Sequence, residues 1–157
     1  MNTTVIPAPG PGPAPGSVPL PELATRLGHA GLVPFVMGAV LVWLVNPEAH
    51  PYVTLALSAY AAVIVSFLGG IHWGIAAREP QADPRQFAWG VAPSLLAWVA
   101  VVMPANAGLA LEGMALVACY LVDRRVYPRH GMAQWLTLRF RLTAVAALCC
   151  FLGAAGT

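Results

Sequence analysis

Five runs of apolar residues alternate with short polar breaks along this chain. They fall at about 27–45, 52–77, 86–103, 107–122 and 133–155. A helix needs about 20 predominantly apolar residues to cross the hydrocarbon core of a bilayer, and each run comes close to that length. The breaks have physical causes. "NPEAHP" (46–51) carries two prolines and a charge, "REPQADPR" (78–85) carries two prolines and four charges, and "DRRVYPRHG" (123–131) is a basic loop. "PAN" (104–106) is a minimal turn, so the third and fourth runs should form a tight antiparallel hairpin. Pro34 and Pro93 lie inside runs, where each removes a backbone donor and should kink its helix. Membrane helices tolerate this when neighbours satisfy the freed carbonyl. The pattern predicts an all-α polytopic membrane protein, a bundle of five transmembrane helices over 22–157. Residues 1–21 form a Pro/Gly-rich tail, expected to be disordered or polyproline-like.

Composition sharpens this picture. The chain is 59% hydrophobic and only 9% charged, with a mean hydropathy of +0.72, whereas soluble domains carry roughly a quarter charged residues. A net charge of +2 is too small to suggest nucleic acid as a partner. The tail lacks the basic start and apolar centre of a secretory signal. Every basic residue is arginine, which with the abundance of Ala, Gly and Pro suggests a GC-rich bacterial genome and a multi-pass protein of the bacterial inner membrane. Arg26, Arg78, Arg85, Arg124, Arg125 and Arg129 all fall on one side of the alternating spans. By the positive-inside rule the N-terminus lies in and the C-terminus out.

The second run holds the densest candidate chemistry. Ser58, Ala62, Ser66, Gly70 and Gly74 recur four apart, and Gly69 widens the row, so these small side chains read as a helix-packing seam. The opposite face carries Tyr60, Ile64, Phe67, Leu68 and Ile71, which suit lipid or a looser neighbour. His72 falls beside that bulky face, near the inner boundary, where either a structural or a ligand-binding role is open. Trp73 next to it fits the aromatic belt. Arg139 and Arg141 project about 200° apart on the fifth helix. Both can snorkel to the inner interface, or one can pair with Asp123. His72, Asp123, Arg139 and Arg141 would then form an inner-side polar cluster able to bind a lipid headgroup, a quinone head or a partner subunit. Glu112 either reaches outward to the interface, the alternative we favour, or remains a lone intramembrane carboxylate.

Cys119, Cys149 and Cys150 lie in apolar runs without metal-ligand spacing and read as packing residues. No phosphate loop, HExxH or GxSxG motif occurs, so we expect no metal, no cofactor and no catalytic residue. The segments "LGHAGLVPFV", "YAAVIVSFLGGIHWG", "APSLLAWVAVVMP" and "WLTLRFRLTAVAALCC" occur in that order over about residues 25–153. They resemble the family catalogued as domain of unknown function 3429, and the second segment is the most specific. In that family an arginine often stands at the position of His72, which fits anchoring or anionic-group binding better than imidazole chemistry. The resemblance implies a small helical inner-membrane protein and brings no activity or substrate. The expected function is therefore a non-enzymatic accessory or assembly factor of a membrane complex. Its partners would be the lipid bilayer and other membrane subunits or further copies of itself. The alternative is a lipid or quinone binder or transporter using the polar cluster.

Overall fold

A computed structural model describes residues 20–81 and 83–157, so the expected tail lies almost wholly outside the described residues. Among the described residues six helices follow one another: α1 (Glu22–Ala30), α2 (Val33–Leu44), α3 (His50–Ala76), α4 (Pro84–Val102), α5 (Ala105–Val126) and α6 (Leu136–Ala155). Short 3-10 turns at Tyr127–His130 and Ala133–Trp135 join α5 to α6. Among the described residues, five stretches are long and apolar enough to cross a membrane: Glu22–Leu44, His50–Ala76, Pro84–Val102, Ala105–His130 and Ala133–Ala155. The protein is an all-helical membrane protein with five candidate spans, and its outward side chains, such as Leu55, Val63, Leu95 and Trp98, suit hydrocarbon.

The two intrahelical prolines act differently. Pro34 has no N–H to give Ala30, so α1 ends and α2 starts afresh with Pro34 in its first turn. At the break, the neighbouring Gly31 carbonyl accepts from the Tyr60 hydroxyl at 2.8 Å. Pro93 leaves α4 continuous and lies buried against Gly69 of α3. At the other breaks, Asp83 caps α4 by accepting from the Arg85 N–H at 2.9 Å, and Pro104 starts α5 directly after the short Met103 connection.

Helix α3 is the hub and touches α2, α4, α5 and α6. Its buried stripe includes Leu57, Ser58, Ala61, Val65, Leu68, Gly69, His72 and Ala76. Leu109, Leu116 and Cys119 of α5, Ala97 of α4, and Ala146 and Cys150 of α6 complete the core with Phe35 of α2. The expected small-residue ridge coincides with this stripe only in part. Ser58 and Gly69 are buried and Ala62 and Ser66 half-buried, but Gly70 and Gly74 face outward with nothing within 4 Å of an added Cβ. The reason is helical drift. A four-residue step overshoots a full turn by about 40°, so the row winds about 160° around α3 between Ser58 and Gly74. Close approach is concentrated at Gly69, where an added Cβ would lie 2.5 Å from the Gly90 carbonyl oxygen of α4.

Candidate functional site

Helices α3 and α5 run in parallel, both ending at the arginine-rich side, and two polar contacts join them. Near that side, His72 Nε2 lies 2.8 Å from Asp123 Oδ1. An ionised carboxylate only accepts, so the ring N–H donates from Nε2. The other carboxylate oxygen, Oδ2, accepts from Arg139 Nε of α6 at 2.8 Å, and Arg139 Nη2 lies 2.6 Å from it. Asp123 is 1% exposed and His72 4%. One carboxylate therefore ties three helices together, and both its oxygens are used. Tyr127 and Trp89 pack around the imidazole, with ring centroids 6.2 and 6.5 Å away.

Three expectations change here. Asp123 does not open a loop: α5 continues to Val126, and the carboxylate lies one turn inside the helix because His72 and Arg139 satisfy it there. His72 belongs to the buried stripe of α3, not to its bulky side. Arg141 does not join the cluster; it is exposed and makes no ion pair among the described residues, having turned about 200° away from Arg139.

The second contact lies nearer the opposite end. Glu112 is fully buried and accepts from the Ser58 hydroxyl at 3.1 Å, while its Oε2 has no partner among the described residues. It does not reach outward as favoured above. Glu112 and Asp123 are eleven residues apart, three turns plus about 20°, so both project from the same buried stripe of α5. Ser58 thus has a polar role in addition to a place on the packing ridge.

The "bulky" face of α3 also has a different role. The break between α1 and α2 opens a groove of about 470 Å³ between those helices, α3 and α6. Ile64, Phe67, Leu68 and Ile71 form its α3 wall, and Leu138, Arg139, Leu142 and Thr143 lie on its α6 wall. Tyr127 and Trp135 contribute from the turns beside Arg139. The lining is otherwise almost entirely apolar. Thr143 is 5% exposed, and its hydroxyl has no hydrogen-bond partner among the described residues. Arg139 Nη2, 2.6 Å from Asp123 Oδ2, shares that oxygen with Nε in the ion pair. Sequence reasoning missed Thr143 and the groove. The available signal was Thr143 one turn after Arg139, on the same face of α6.

Among the described residues no group of three His, Cys, Asp or Glu side chains is arranged to hold a metal ion. The three cysteines are buried as free thiols. Elsewhere on the arginine-rich side, His130 Nε2 lies 2.6 Å from Glu79 Oε1 and links the α3–α4 connection to the α5–α6 connection.

Comparison with known proteins agrees with this architecture. The chain is 38% identical over 136 residues to transmembrane protein 69 of Xenopus tropicalis, covering 80% of this chain and 51% of that protein. It is 30% identical over 130 residues to transmembrane protein 69 of Mus musculus, covering 80% and 53% respectively. The chain thus spans about half the length of these curated relatives. No solved structure matches it. The family model described as "Protein of unknown function (DUF3429)" matches residues 20–155, and the chain belongs to that DUF3429 family.

Proposed function

We propose that this chain is a non-enzymatic binding protein of the membrane, holding one lipophilic molecule in the groove between α1, α2, α3 and α6. The observation that carries the proposal is the groove itself: about 470 Å³ of apolar-walled space with Arg139 and Thr143 on one wall. Small-molecule sites typically measure about 300–1,000 Å³ and combine apolar walls with a few convergent polar groups. Asp123 supports the site from behind, because its bond to Arg139 Nε fixes the guanidinium beside the groove. The test is gentle extraction of the protein from its own membrane, followed by solvent extraction and mass analysis of what it retains. A lipophilic compound retained at one per chain, and lost in Ile71→Trp, supports the proposal. Equal retention by both proteins contradicts it.

A role as an accessory or assembly factor of a membrane complex is the second possibility. The outward Gly70 and Gly74 favour it, since they offer a partner helix a surface without side chains. Stoichiometric partner subunits in a mild-detergent preparation, lost in Gly70→Leu, would support it. The orientation we propose places the arginine-rich end of the bundle, with the His72–Asp123–Arg139 cluster, on the cytoplasmic side of a bacterial inner membrane. The placing of Arg26, Arg78, Arg85, Arg124, Arg125 and Arg129 on one side of the alternating spans supports that orientation.

A further inference from the structure

We infer that a second groove, on another face of α6, seats an acyl chain of an anionic phospholipid whose phosphate is held by Arg141 and Arg124. This groove of about 340 Å³ lies between α5 and α6, with Val117 and Tyr120 on one wall and Phe140, Ala144, Leu148 and Phe151 on the other. Phe140, Leu148 and Phe151 are exposed, so it faces the hydrocarbon. Tyr120 and Phe140 meet at its arginine-rich end, with ring centroids 5.6 Å apart. Arg124 lies one turn beyond Tyr120 on the same side of α5. Arg141 lies one turn before Ala144, on the lipid-facing side of α6. Both arginines are exposed and form no ion pair among the described residues. Side chains lean toward the N-terminus of their own helix. Helix α5 ends at this side of the bundle and α6 begins there. Arg124 therefore leans back toward the groove and Arg141 leans out toward the headgroups, which brings both toward one level.

Arg141 is the ninth residue of the span Ala133–Ala155, about 12 Å along the helix from its start. A guanidinium facing lipid there cannot lose its proton and is costly unless an anion meets it. The protein's own carboxylates are already engaged. At this end Glu22 pairs with Arg26, Glu79 meets His130, Asp83 caps α4, and Asp123 is held by His72 and Arg139. Glu48 and Glu112, the other two acids of the chain, lie toward the opposite end. The anion within reach of an arginine beside an acyl-chain groove is a lipid phosphate, which a guanidinium can hold through two parallel N–H bonds. Two unmatched arginines favour a headgroup of net negative charge over a zwitterionic one, whose ammonium they repel.

Native mass spectrometry of the purified full chain tests this, with dioleoylphosphatidylglycerol and dioleoylphosphatidylcholine as probes. The two lipids share acyl chains and phosphate and differ in net charge. The glycerol lipid should give a saturable one-to-one adduct, tighter than that of the choline lipid. Arg141→Gln and Arg124→Gln should each weaken this adduct about five- to tenfold. Neither should lower the thermal midpoint of the lipid-free protein, because neither side chain has an internal ion pair to lose. Arg141→Lys, which keeps the charge, should restore part of the affinity. Ala144→Phe, which fills the groove, should weaken both lipids. Equal affinity for the two lipids, or an Arg141→Gln affinity equal to wild type, overturns the phosphate assignment. Binding unchanged in Ala144→Phe overturns the groove as the seat of the chain. Displacement of the lipid by inorganic phosphate makes free phosphate the occupant and overturns the lipid as the source.

Discussion

Asp123 is the residue on which the arginine-rich end of the bundle depends. Removing one member of a buried ion pair strands the other charge, at a cost of about 3–5 kcal/mol. Asp123→Asn leaves the Arg139 guanidinium, 11% exposed, without its counter-charge. Its thermal or denaturant midpoint in detergent should fall accordingly, and Asp123→Asn with Arg139→Gln should recover part of the loss. Equal stability of wild type and Asp123→Asn would contradict the geometry. The pairing was half legible in the sequence. Asp123 and the two arginines of the last helix were visibly at similar depth, but their charges read as the edge of a loop and a snorkelling pair. What separated Arg139 from Arg141 was which side of α6 is buried, and the packing of Leu138, Thr143 and Ala146 decides that. Glu112 was read outward because no base lies at its depth. Its actual partner, Ser58, is neutral and had been assigned to packing alone.

Among the helices, the spans themselves were plain in the sequence, because apolar length and proline-rich breaks suffice to define them. Their contact faces were less so. A four-residue row of small side chains drifts around its helix, whereas a seven-residue repeat stays within about 20° per step. Followed at sevens, Ser58, Val65 and His72 share one stripe, and all three are buried. His72 is thus on the packing face, and Gly70 and Gly74 are not. The contrast is measurable. Gly69→Val forces side-chain atoms into the Gly90 backbone and Pro93, and overpacking of this kind costs about 1–3 kcal/mol or more. Gly70→Ala and Gly74→Ala meet open space and should be neutral or stabilising by up to about 1 kcal/mol, the helix-propensity gain of alanine over glycine. Matching losses at all three positions would mean that the glycines form one continuous seam after all.

For the whole molecule, the orientation we propose follows from charge. Arg78, Arg85, Arg124, Arg125 and Arg129 all lie in the connections or the helix turns beside them, at the end of the bundle that carries the His72–Asp123–Arg139 cluster. Reporter fusions at the 104–106 turn should therefore report the outer side, and activity of a cytoplasm-only reporter there would reverse the topology. The groove was not legible in the sequence, because it arises from how three separate segments meet. Pro34 was visible as a kink, but only the packing of Gly28 against Leu138 and Leu142 shows that the broken first span leans on α6. That contact leaves the space beside α3 open. The most direct measurement is an experimental structure of the full chain in a lipid nanodisc. We predict continuous density along the groove between α1, α3 and α6, against the α6 wall that Arg139, Leu142 and Thr143 form. A groove closed by the protein's own side chains, with no density in it, would contradict the account.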